Sequence, residues 1–186
     1  MKKTILFLSL FLLLFSFDSA FTLQQEPSED IEWALAQAVG GVLSISPCAL
    51  RPKWSDIYQG GSFAAGPGEA YIAYSPVGPA QMFAPVNLPE GAVIKKVVGL
   101  CSDNDSSAPA YVQMRLERRN NYSTTTQTLA EVSTDGLASS TSKRIRKTSV
   151  IAYPIVNNTY TYSLQVYFGP NGSTGLIFYG FWIVYE

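Results

Sequence analysis

From Tyr160 to Phe168 the chain reads Tyr-Thr-Tyr-Ser-Leu-Gln-Val-Tyr-Phe, and this alternation constrains the fold more than any other feature. Tyr160, Tyr162, Leu164, Val166 and Phe168 fall on one side, and Thr161, Ser163, Gln165 and Tyr167 on the other. Successive side chains of an extended strand point to opposite faces, so apolar or aromatic residues at a spacing of two require one dry face and one wet one.

The same period recurs along the chain. In Tyr111–Arg118, Val112, Met114 and Leu116 face one way while Gln113, Arg115 and Glu117 face the other. Ala92–Cys101 reads as a long strand, and 42–45, 71–74, 81–84, 128–132 and 144–151 as shorter ones. Pro47 ends the first early or sets it at an edge. The run from Gly175 to Tyr185 is apolar on both faces, which places it centrally in a sheet or under a cover. Pro89 and Gly91 set the turn that launches the strand from Ala92, and Gly169-Pro170-Asn171-Gly172 forms another turn. The glycines at 60–61 and 66–68 are turns as well, since neither stretch carries the lysine of a phosphate loop. Eight or more short strands with no long helix between them predict an all-β chain, an antiparallel β-sandwich of jelly-roll type.

Ahead of the strands the pattern differs. Lys2-Lys3, an apolar run of about 13 residues from Ile5 to Phe17, and Ser19-Ala20 have the layout of a secretory signal peptide. The run falls short of the roughly 20 residues that a spanning helix needs. Residues 1–20 are therefore expected to be a signal peptide, and 21–41 a polar lead with a short amphipathic helix over Ser28–Gly40, where Ile31, Leu35, Ala38 and Val39 share a face. Residues 42–186 are expected to form the sandwich. The expected location is secreted, periplasmic or on the outer surface, with no transmembrane segment after cleavage.

The net charge of −1 offers no strongly positive surface, which argues against nucleic acid as a partner. The basic run Lys143–Lys147 reads as one solvated strand face or bend. Cys48 and Cys101 are the two cysteines, and an even count in an exported chain allows one disulfide. Closing the loop of about 50 residues between them would stabilise the fold by about 2–4 kcal/mol. Two separate buried thiols are the alternative.

Five pieces taken in order, LPEGAVI at Leu88–Ile94, DND at Asp103–Asp105, MRLERR at Met114–Arg119, YTYSLQVYF at Tyr160–Phe168 and LIFYGFWIVY at Leu176–Tyr185, resemble a family of uncharacterised secreted bacterial β-sandwich proteins. The likeness spans roughly residues 42–186. It implies a fold and export, and no catalytic residues.

Chemistry is narrowed by what the chain lacks. It contains no histidine, so a Ser-His-Asp arrangement is excluded and neither cysteine has a histidine partner. Asp103, Asn104 and Asp105 are weak calcium candidates, with Asp56 or Asp135 as distant donors. Calcium takes six to eight oxygens, more than this loop supplies, and the plainer reading is a turn whose side chains bond their own backbone. Asn104, Asn121, Asn157 and Asn171 each head an N-x-Ser/Thr triplet, which in a non-glycosylating host is turn chemistry. Glu69, Glu90, Asp103, Asp105, Glu117, Glu131 and Asp135 are the carboxylates from which a glycosidase pair would come, but spacing alone sets no two across a groove.

The positive functional feature is aromatic content, with 11 tyrosines and 3 tryptophans. Such side chains combine rigid contact area with a polar edge. Trp54, Tyr58, Tyr122, Tyr153 and Tyr167 are the candidates for a surface that stacks on sugar rings or meets another protein. The expectation is a non-catalytic exported binding or structural module, with no cofactor, whose partner is a protein or glycan at the cell surface and which can form a homo-oligomer. The alternatives are a carbohydrate-binding domain and, further off, a carboxylate-based hydrolase.

Overall fold

A computed structural model describes residues 40–52, 62–65, 68–74, 80–106, 110–169 and 175–186, with backbone alone for 62–65 and 71–74. The strands are β1 (Gly41–Ile45), β2 (Arg51–Pro52), β3 (Ser62–Ala65), β4 (Ala70–Tyr74), β5 (Ala80–Val86), β6 (Ile94–Asp103), β7 (Tyr111–Asn120), β8 (Thr126–Ser133), β9 (Ser140–Thr148), β10 (Tyr160–Gly169) and β11 (Leu176–Tyr185). All pairings are antiparallel, in two sheets. The six-stranded sheet runs β3-β4-β11-β6-β9, with β1 also on β11, and the five-stranded sheet runs β2-β5-β10-β7-β8. The two-sheet architecture expected from the alternation is found, and β2 and β3 are strands the sequence pattern did not reveal.

The alternation decides the interior. Tyr162, Leu164, Val166 and Phe168 on β10 face Val97, Cys101, Phe178, Phe181 and Ile183 of the other sheet within one core, to which β7 adds Val112, Met114 and Leu116. Each fully buried large apolar side chain contributes about 1.5–3 kcal/mol relative to exposure. Chain length is thus turned into core by two dry faces pressed together.

β11 lies between β6 on one edge and β4 and β1 on the other, where β1 pairs along Phe181–Tyr185 and β4 at Ile177–Phe178. This central place accounts for its two apolar faces. On the side away from the shared core, Val98, Leu100 and Val184 are buried too, outside the inter-sheet cluster. A side chain at Gly180 would come within 2.9 Å of the Trp182 ring, so the indole lies across that glycine.

Turn chemistry follows the sequence closely. Ser46 accepts from the Cys48 amide and caps a 3-10 turn over Pro47–Ala49, which stops β1. The amide of Ala92 donates to the Pro89 carbonyl at 3.1 Å, with Gly91 at a φ of 79°, a backbone setting that glycine adopts without penalty. The basic run lies on β9, an edge strand of the larger sheet, where charge discourages pairing with another chain. Arg146 Nε donates to the Ser133 carbonyl at 2.7 Å and Arg144 to that of Ala138, which ties β9 to the chain around the end of β8.

The expected disulfide is not formed. Cys48 is an exposed free thiol on the 3-10 turn, and Cys101 is a free thiol sealed inside. The reason is register: Cys101 shares the dry side of β6 with Val97, while the turn after β1 carries Cys48 out to solvent. The alternative of two buried thiols fails for Cys48 as well. Burial pushes the Cys101 thiol up to about 12, against the opposing pull of Arg146. The short helix expected over Ser28–Gly40 lies outside the described residues apart from Gly40.

Candidate functional site

The wet side of the five-stranded sheet collects one set of outward residues from each strand. Across β5, β10, β7 and β8, register sets Gln81, Tyr167, Gln113 and Ser133 in one row, and Phe83, Gln165, Arg115 and Glu131 in the next. Pro85, Ser163, Glu117 and Thr128 form a third. Arg51 of β2 extends the second row beside Phe83. Outward parity on four strands therefore produces a face that no single segment shows.

Two aromatic rings stand at one end of it. Tyr111 and Tyr167 stack with centroids 5.6 Å apart and planes 24° from parallel. They are close because Gly169, opposite Tyr111, has no side chain. A Cβ there would meet the Tyr167 ring at 2.4 Å and the Tyr111 ring at 3.1 Å. Burial, and then the neighbouring Tyr111, raise the Tyr167 hydroxyl above the ordinary tyrosine value.

Beside the rings runs a planar polar ladder. Gln165 Nε2 donates to Gln81 Oε1 at 3.1 Å. Gln113 Nε2 and Arg115 Nε each donate at 2.7 Å to Glu131, one to either carboxylate oxygen. These bonds hold the amides and the guanidinium in fixed orientations. Gln165 and Glu117 sit low in the face, 7% and 9% exposed, with half-exposed neighbours around them.

A second aromatic group closes one end of the sandwich. The Arg118 guanidinium lies 4.1 Å from the Tyr153 ring centroid and 4.2 Å from that of Tyr160. Arg118 is buried, on the core side of β7, and its Nε donates to Gln127 Oε1 at 2.8 Å. Flat cations are favoured over ring faces. Tyr153 has a φ of 51°, uncommon for a bulky residue, and this contact accompanies it.

The five aromatic candidates are therefore not one surface. Tyr167 belongs to the outer face, and Tyr153 to the arginine stack in the loop between β9 and β10. Tyr122 is 91% exposed in the turn between β7 and β8, where Asn121 bonds the carbonyls of Thr159 and Asn158. Trp54 and Tyr58 lie outside the described residues. Tyr111, Gln81, Gln113 and Gln165 were not singled out from the sequence. Their outward parity was legible, but the strand order that aligns them was not.

The candidate metal loop is used structurally. Asp103 is 1% exposed; its Oδ2 accepts from Thr134 Oγ1 at 2.8 Å and its Oδ1 from the Asp105 amide at 3.4 Å. The Asn104 amide donates to the Gly175 carbonyl. Among the described residues no three acidic or cysteine side chains gather as metal ligands.

No family model and no curated protein matches the chain. Solved structures do superpose on it. They include CsCBM6-3 from Clostridium stercorarium in complex with cellobiose, at 14% identity over 77% of this chain and 92% of that one, with a TM-score of 0.43. The CBM22-2 xylan-binding domain of Paenibacillus barcinonensis Xyn10C aligns at 9% identity over 77% and 95%, also with a TM-score of 0.43. Eiger TNF from S. frugiperda aligns at 8% identity over 77% and 85%, with a TM-score of 0.32. At these values the superpositions carry no argument about ligand or activity.

Proposed function

We propose that the chain is an exported, non-catalytic jelly-roll module that holds a glycan against the outer face of its five-stranded sheet. The winding β4-β11-β6-β9 against β5-β10-β7-β8 supports the jelly-roll reading. The basic pair and apolar run at the N-terminus support export.

One observation carries the ligand class: a stacked tyrosine pair beside oriented glutamine amides on a rigid sheet. A sugar ring has apolar C–H faces and a rim of hydroxyls that both donate and accept. Aromatic rings match the first, and amides, with a donor and an acceptor in one plane, match the second. Glu131 has both oxygens engaged by Gln113 and Arg115, an arrangement suited to positioning neighbours rather than to moving protons.

The test is affinity electrophoresis of the mature protein in gels containing soluble xylan, hydroxyethylcellulose or laminarin, with a glycan array and the solution mass alongside. Retardation that disappears in Tyr167→Ala is the expected result. Absence of retardation and of any array signal, or retardation untouched by that change, would overturn the proposal.

A further inference from the structure

Resting on that reading, we infer that the ligand is a linear glycan chain bound along its length, with a second saccharide subsite in the cavity at the far end of β10. The cavity is about 300 Å³, at the lower end of the small-ligand range of roughly 300–1,000 Å³. It opens between the loop after β5 and the loop before β10. Asn87, Asn157, Asn158, Tyr160 and Thr161 give it its polar lining, and none of its lining residues is charged.

Continuity with the outer face follows from register. Thr161 lines the cavity and shares its side of β10 with Ser163, Gln165 and Tyr167, and Pro85, also in the lining, pairs opposite Ser163. The six steps along the strand from Thr161 to Tyr167 span about 20 Å. The stacked tyrosines and the amide-lined cavity are thus two ends of one track, longer than a single sugar ring.

The cavity wall is organised in advance. The Asn157 amide donates to Tyr162 Oη at 2.8 Å, and the Thr159 amide donates to Asn157 Oδ1 at 2.8 Å. Asn158 Nδ2 donates to Glu90. Tyr160 is held from behind by Arg118. Neutral amides and hydroxyls favour an uncharged polyol over a phosphate or a uronate, for which a cation would be needed.

Calorimetry with cello-, xylo- and laminari-oligosaccharides of two to six units decides the matter. In the series that binds, affinity should rise at least about tenfold from dimer to hexamer, the equivalent of 1.4 kcal/mol. Asn87→Ala and Asn158→Ala, both at exposed positions, should return hexamer affinity to that of the dimer and leave dimer binding unchanged. Tyr167→Ala should weaken every length. An affinity independent of length, or a hexamer indifferent to both asparagine changes while their melting temperatures match the parent's, overturns the second subsite and leaves the face reading intact. Binding insensitive to Tyr167→Ala, or no binding at any length, overturns both.

Discussion

Replacing Thr134 by valine should be among the most damaging single changes that leave side-chain volume unaltered. Thr134 follows β8 and is fully buried. Its hydroxyl donates to Asp103 Oδ2 at 2.8 Å, at the end of β6, and accepts from the Val112 amide at 2.9 Å, at the start of β7. One oxygen therefore joins the two sheets. Valine keeps the shape and removes both bonds. Loss of a hydrogen bond to a carboxylate costs about 1.5–3 kcal/mol, and an orphaned buried amide a further 1–3. The sum, about 2.5–6 kcal/mol, is a large share of the roughly 5–15 kcal/mol that a domain has. Thr134→Ser keeps both bonds and should lose only about 1 kcal/mol with its methyl group. Asp103→Asn keeps an acceptor and should fall between the two. Urea denaturation followed by tryptophan fluorescence measures this, with midpoints lowered at a constant slope of about 1–3 kcal/mol per molar. A loss under about 1 kcal/mol for valine, or a serine variant as unstable as the valine one, would refute the reasoning.

The thiols should label unequally: at pH 8 a thiol reagent should modify Cys48 alone in the native protein and both cysteines in denaturant, and no labelling in denaturant without reductant would reveal a disulfide instead. The Cys101 thiol ionises near 9.0 when unfolded and near 12 when folded. The native state therefore keeps a proton that the unfolded chain releases, and stability should decline between those values, with a slope that Cys101→Ala makes shallower; the raised Tyr167 hydroxyl adds to the decline in the same direction. Gly169→Ala, which removes neither tyrosine, should weaken the proposed glycan binding by about tenfold or more, because the new methyl group displaces the stacked rings. Arg118→Lys should cost about 1–2 kcal/mol in urea unfolding, since an ammonium cannot lie flat between two rings, and a neutral result would mean that the Tyr153 and Tyr160 contacts contribute nothing.

The local parts of this molecule were legible in its residues because side-chain alternation is a property of a single strand. The dry faces of β7 and β10, the apolar character of β11 on both sides, the early end of β1 at Pro47 and the turn at Pro89–Gly91 all follow from residues close in sequence. Lack of histidine likewise excludes a class of chemistry on composition alone. What sequence could not supply was pairing. Tyr111 and Tyr167 lie 56 positions apart, and Gln81 and Gln165 are 84 apart. They meet only because β10 is inserted between β5 and β7. The same long-range order keeps Cys101 dry while Cys48 is wet, places Asp103 under Thr134 rather than around a cation, and lays Arg118 between two rings. Periodicity says which way a side chain points, but strand order alone says what it points beside, because hydrogen bonding between strands is indifferent to how much chain separates them.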